Sequence, residues 1–212
     1  MPLYPFLFHP NLHTVVWGGH RLQVYKGLLS TDEPIGESWE VSAVPSSTSI
    51  ISNGPFAGRD IISVISEYPE DILGKAVNEK YHGQFPLLVK FIDAERDLSI
   101  QVHPNDEMAQ REHGKMGKSE MWYVIKADAG SHLYAGFKQE ITPEEYQQRM
   151  ADGTIIEVLA DHQVKAGDVF YLPAGRIHAI CGGILLAEVQ QSSDVTYRIY
   201  DYNRPGMDGK PR

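Results

Sequence analysis

Short apolar runs recur along most of the chain between glycines, prolines, asparagines and serines, and this punctuation most limits what the chain can fold into. In the first part they are Trp39–Ala43, Thr48–Ile51, Leu87–Ile92, Leu98–Val102, Met121–Ile125 and Leu133–Phe137. Ile155–Leu159, Val169–Leu172, Ile184–Val189 and Thr196–Tyr200 continue the series, with Gly182-Gly183 reading as a hairpin turn. Strands this short favour antiparallel pairing in a sandwich, barrel or jelly roll, whose mouth is a usual ligand site. Two helical segments interrupt the pattern. Thr142-Pro143-Glu144-Glu145 carries an N-cap, a proline at the first helical position and the acid of a capping box, and Gly153 closes the segment. Between Arg59 and Val77, Ile61, Ile62, Val64, Ile65 and Ile72 form an apolar helical face that Pro69 divides in two.

With 212 residues, 42% of them hydrophobic, the chain can bury one sizeable core, and a single domain is expected. The formal net charge of −9 and the lack of any Lys/Arg run argue against nucleic acid as a partner. Any phosphate on a substrate must then be held by a few local cations. Cys181 is the only cysteine, which excludes a disulfide framework, fits a reducing compartment and reads as a small buried apolar residue. No apolar run approaches the roughly 18 residues that span a membrane, and residues 1–20 lack the features of a signal peptide. The expectation is a cytoplasmic protein with no membrane partner.

Gly167 to His178 reads as a strand, a Pro173/Gly175 corner and a histidine at a fixed offset. Upstream, Gln101 and His103 are two residues apart and face one side if their strand extends to His103, where Pro104 ends it. Glu120 opens the next apolar run. Two imidazoles, one carboxylate and one amide carbonyl suit Zn²⁺ or a similar divalent ion, with water or substrate completing the shell. A single carboxylate leaves such an ion with net positive charge, hence with Lewis acidity toward a sugar carbonyl or hydroxyl.

The run Gly167-x5-Pro173-x-Gly175-x2-His178 resembles the second cupin motif, without its trailing asparagine. The first cupin motif usually supplies His-x-His and a nearby Glu, where this chain has Gln101-x-His103 and a longer interval before Glu120. Other segments complete the likeness: Trp17-Gly18-Gly19, Gly36-Glu37-Ser38-Trp39-Glu40, Gly117-Lys118-Ser119-Glu120-Met121-Trp122-Tyr123 and Gln191-Ser192-Ser193-Asp194-Val195-Thr196-Tyr197-Arg198. In collinear order these resemble the type I mannose-6-phosphate isomerases in their short bacterial form.

The resemblance implies a mainly β, cupin-type jelly roll or barrel with a few helical insertions. It implies one Zn²⁺ per chain on Gln101, His103, Glu120 and His178, and interconversion of mannose 6-phosphate and fructose 6-phosphate through a cis-enediol. Arg198, Lys118 and Glu188 fall at catalytic positions, without the resemblance fixing which group is the base. Trp17, Glu37, Lys90 and Ser99 match positions of the substrate cavity, with Trp39 beside Glu37 in one of its walls. Arg198, set among Tyr197, Ile199 and Tyr200, is expected to meet an anion. The substrate class implied is a hexose 6-phosphate, and the chain a monomer or weak homo-oligomer. Relatives continue into a further small β domain, so residues 1–212 read as a single catalytic domain that is either a fragment or a minimal form. An Fe(II)-dependent cupin dioxygenase and a non-catalytic sugar-phosphate-binding cupin are the alternatives; Gln101 and the cations Lys90, Lys118 and Arg198 favour sugar phosphate over oxygen chemistry.

Overall fold

Eleven strands carry the described residues of the computed structural model, which are 2–28 and 30–210. In chain order they are β1 (Asn11–Gly19), β2 (Ile35–Ser42), β3 (Leu87–Ala94), β4 (Ile100–Val102), β5 (Glu120–Ala127) and β6 (His132–Phe137). Then come β7 (Leu159–Gln163), β8 (Val169–Leu172), β9 (His178–Ile180), β10 (Ile184–Gln191) and β11 (Tyr197–Tyr200). They form a six-stranded sheet in the order β1-β2-β3-β10-β5-β8 and a five-stranded sheet in the order β11-β4-β9-β6-β7. All pairings are antiparallel. The expectation of a mainly β jelly roll with a few helical insertions holds.

The core lies between the sheets, because alternate residues of each strand turn inward. Trp17, Ile92, Trp122, Leu172, Ile184 and Leu186 of the larger sheet pack with Leu133 and Ile180 of the smaller one. Intervening residues face outward against smaller elements. Leu185 packs with Leu22 of helix α1 (Arg21–Tyr25). Helices α2 (Ile61–Glu67), α3 (Pro69–Leu73) and α4 (Lys75–Tyr81) form an annex after β2, in which Val64 packs with Ile51 and Phe56. Pro69 opens α3 as expected, and a second break falls at Gly74, whose φ of 77° splits the predicted pair of helices into three. Helix α5 (Asp106–His113) follows β4, with Asn105 as its N-cap. Helix α6 (Pro143–Asp152) has the predicted ends: the Thr142 hydroxyl accepts from the Glu145 amide, and Gly153 adopts a left-handed C-cap.

Four local expectations differ from the structure. Thr48–Ile51 makes only isolated bridges, Ile51 with Phe8 and Ile50 with Asp60, because Ile51 is buried against the helical annex rather than in a sheet. Ile155–Val158 forms a 3-10 turn and the strand starts only at Leu159. There Ile155, Val158 and Leu159 have helical spacing and pack on Ile100 and Ala179 of the smaller sheet. The strand expected from Leu98 begins at Ile100 and ends at Val102, which leaves His103 just beyond it. Gly182-Gly183 is not a hairpin turn; it carries the chain from β9 in one sheet to β10 in the other. Gly183 has φ 88°, donates to the Ala94 carbonyl at 2.7 Å and accepts from the Asp128 amide at 2.9 Å, stitching the crossing to its neighbours.

Candidate metal centre and active site

His103, Glu120 and His178 converge inside the sandwich, with their ligand atoms all within 4.8 Å of one another. The topology explains the convergence. Glu120 is the first residue of β5, His178 the first of β9, and His103 directly follows β4, which pairs with β9. Backbone bonds tie the three segments: Gly175 donates to the His103 carbonyl at 2.8 Å, and Lys118 donates to the Pro104 carbonyl at 3.0 Å. Gly175 has φ 84°, a conformation that suits glycine and turns the chain from β8 toward His178. Gly117 is required for space, since a Cβ there would lie 2.5 Å from the Asp106 amide nitrogen.

The two imidazoles are oriented alike. Nδ1 of His103 lies 3.1 Å from the Val195 carbonyl, and Nδ1 of His178 lies 2.8 Å from the Arg176 carbonyl. Each carbonyl requires a proton on Nδ1, so the neutral rings turn unprotonated Nε2 atoms toward Glu120, at 3.1 Å and 3.5 Å. Burial holds the pKa of His103 down, and pushes that of His178 down to about 4. Glu120 is lowered well below the usual carboxylate range: burial opposes this, but the Lys118 ammonium and the two histidines outweigh it. Both Glu120 oxygens and Nε2 of His178 are buried without a hydrogen bond. The Lys118 ammonium is drawn to the same donors, 2.8 Å from Glu120 Oε1 and 3.2 Å from His103 Nε2. Gln101 lies opposite His178 in the β4–β9 ladder and lines the adjoining cavity.

That cavity has a volume of about 270 Å³, small for a ligand site, and its walls mix tryptophan with charge. Trp17, Glu37, Trp39, Lys90, Ser99 and Arg198 all line it. Lys90 projects inward from β3 and pairs with Glu188 at 2.9 Å and Glu37 at 3.3 Å. Glu37 also accepts from the Trp39 indole at 2.6 Å. Burial works to lower the Lys90 pKa, but Glu188, Glu37 and Glu120 prevail, raise it and keep the amine charged. Glu188 is pushed up to about 7 by burial and by the nearby Glu120 carboxylate, against the opposing Lys90 and Lys118. The pair thus combines a firmly charged lysine with a carboxylate whose charge burial and Glu120 oppose.

Arg198 corrects one premise. Its side chain is 38% exposed rather than enclosed by its apolar neighbours, donates to Ser99 Oγ at 3.3 Å and lies 3.9 Å from Asp201. Trp122 and Gln190, both buried in the cavity wall, are missing from the sequence-derived set. The signal for them is the period of two: Trp122 follows Glu120, and Gln190 follows Glu188. The Trp122 indole donates to Glu188 at 3.0 Å and its ring meets His178 edge-on at 5.4 Å.

Residues 6–151 match the phosphomannose isomerase type I catalytic domain. The chain belongs to this family. The probable mannose-6-phosphate isomerase GmuF of Bacillus subtilis (strain 168) is 40% identical over 210 residues, covering 99% of this chain and 65% of the relative. The mannose-6-phosphate isomerase of Streptococcus mutans is 39% identical over 208 residues, covering 98% of this chain and 64% of the relative. The crystal structure of the mannose 6-phosphate isomerase from Bacillus subtilis superposes with a TM-score of 0.91 at 35% identity, over 99% of this chain and 65% of that one. The chain thus spans just under two thirds of the length of these phosphomannose isomerase relatives. Gln101, His103, Lys118 and Glu120 fall within residues 6–151, and His178, Glu188 and Arg198 lie beyond them. Among the described residues, no helix is long and apolar enough to cross a membrane.

Proposed function

We propose that this chain binds one Zn²⁺ through His103, Glu120, His178 and Gln101, and interconverts mannose 6-phosphate and fructose 6-phosphate through a cis-enediol. The observation that carries the reading is the buried donor set itself. Glu120 and His178 hold polar atoms without hydrogen bonds, carbonyls lock both imidazoles, and an ammonium is drawn to the same atoms. Nitrogen and oxygen donors of this kind suit zinc, with Gln101 as the fourth, neutral ligand. When bound, Zn²⁺ would supply Lewis acidity to an oxygen on C1 or C2 of the sugar.

The remaining chemistry is assigned to side chains. Isomerisation takes a proton from C2 of the open-chain aldose and returns one to C1, while the hydroxyl proton on O2 is lost and O1 gains one. Glu188 is the group we assign to the carbon proton, since it is buried in the cavity wall and steadied by Trp122 and Lys90. Lys118, 7% exposed, suits the oxygens of the enediol end, whereas the half-exposed Arg198 suits the phosphate. Charge supports the substrate class. Lys90, Lys118 and Arg198 face Glu37, Glu120, Glu188 and Asp194 around the cavity, one negative charge in excess, which a divalent ion would turn into one positive. Trp17 and Trp39 provide walls for the carbon chain, and Ser99 holds Arg198.

The purified chain should convert mannose 6-phosphate to fructose 6-phosphate, lose this activity to a chelator and regain it with Zn²⁺. Conversion in D₂O should place deuterium on C1 of the product. A folded, zinc-loaded chain without turnover would contradict the proposal.

A further inference from the structure

We infer that Gln190 is a substrate-binding residue whose amide carbonyl accepts a hydrogen bond from a hydroxyl of the open-chain sugar, and that it makes the site selective for a polyhydroxylated chain. This rests on the sugar-phosphate reading above and adds to it a residue with a defined partner group. Gln190 is 1% exposed and lines the cavity. It stands on β10 two residues after Glu188 and pairs in the ladder with Glu120 on one side and Leu88 on the other. It is therefore at the metal side of the cavity.

The orientation of the amide is settled by its neighbours. Nε2 lies 2.7 Å from the Ser193 carbonyl and 2.9 Å from the Gln191 carbonyl, and two carbonyls can be satisfied only by an NH₂ group. Oε1 must then be the other atom, and it is buried with no partner. A buried acceptor without a donor is unfavourable, so the donor is to come from whatever fills the cavity. A carbonyl oxygen only accepts. It gains nothing from a phosphate dianion or a carboxylate, and the cations Lys118 and Arg198 are there to meet those. What it fits is an O–H, and an open-chain hexose phosphate offers one on each carbon of its middle portion.

The amide also supports the loop after β10. By holding the Ser193 carbonyl it steadies the segment whose Val195 carbonyl receives the His103 ring proton. Truncation of Gln190 can thus act through the loop as well as through the lost acceptor. The test has to separate these effects, which a ligand series does.

The experiment uses the full, zinc-loaded chain and a hexitol 6-phosphate, an open-chain polyol that cannot isomerise, together with its 3-, 4- and 5-deoxy analogues. Titration calorimetry of wild type and Gln190→Met should show the parent ligand bound about tenfold more weakly by the variant. For one of the deoxy analogues, the two proteins should bind alike. Should the variant not fold, the side-chain amide resonance of Gln190 in wild type should shift with the parent ligand and stay unmoved with that analogue. If wild type binds the hexitol phosphate and turns over mannose 6-phosphate while the variant's loss is absent, or equal for every analogue, the assignment of Gln190 is overturned and the isomerase reading stands. An unresponsive resonance has the same meaning. If zinc-loaded wild type neither binds nor turns over, the isomerase reading is overturned and Gln190's role falls with it.

Discussion

His178 owes its orientation to atoms outside the donor set. The Arg176 carbonyl holds its Nδ1 proton, and the Trp122 ring meets it edge-on. Replacement of His178 by Ala should remove bound zinc and isomerase activity together while leaving the circular dichroism of the fold, as metal analysis beside the assay would show. Trp122→Phe keeps most of the packing but strips Glu188 of an indole donor. Unfolding in urea should show a loss of about 1–3 kcal/mol, the range for a buried acceptor left unmatched. Asp93 gives a pH-dependent case away from the candidate metal site. It is fully buried, accepts from the Arg21 and Leu22 amides, and burial raises its pKa above 3.8. The folded state thus disfavours its charged form, and the stability present below pH 3.8 is lost as pH rises through the raised folded value. Asp93→Asn stays neutral, so its unfolding free energy relative to wild type should increase with pH across that window. At this scale the sequence was informative where motif and period agreed. Gln101, His103, Glu120 and His178 are legible as a donor set from motif and spacing and Lys118 through the family resemblance, whereas for Trp122 and Gln190 the period of two gives only the side of the strand, and the third dimension shows what that side faces.

Two elements separate positioning from stability. Gly117 crosses the start of α5 so closely that a methyl group would meet the backbone of Asn105 and Asp106 at 2.6 Å and 2.5 Å. Backbone cannot swing aside as a side-chain tip can, so Gly117→Ala should displace Lys118 and lower kcat more than it lowers the melting temperature, measured side by side. Thr142→Ala is the converse. It removes the N-cap of α6 at the outer face of the smaller sheet and should cost about 1 kcal/mol in chemical unfolding, with zinc affinity unchanged. The ends of α6 and the bounds of β8 are local properties, set by capping groups and turn residues, and the sequence displays them. Ile155–Leu159 and Gly182-Gly183 depend on which surface receives the chain. An apolar run serves equally as a strand or as a turn packed on a sheet, and a Gly-Gly pair serves both a hairpin and a crossing between sheets.

At the scale of the molecule, the core between the sheets and the cavity are one construction. The inward positions of β3, β5 and β10 run from apolar residues at one end, such as Ile92, Val124 and Ile184, to Lys90, Glu120, Glu188 and Gln190 toward the other. Packing below therefore fixes chemistry above. Leu133→Ala, in the middle of this core, should lower stability by about 2–5 kcal/mol and, below its melting transition, leave the metal donors in place. The central claim is that His103, Glu120, His178 and Gln101 hold a single catalytic metal. It is tested most directly by titrating Zn²⁺ into the metal-stripped chain while following conversion of mannose 6-phosphate. Activity should climb from zero in proportion to added zinc and level off at one equivalent per chain. A folded chain that binds that equivalent and remains inactive, or that turns over mannose 6-phosphate at full rate without metal, would contradict the account.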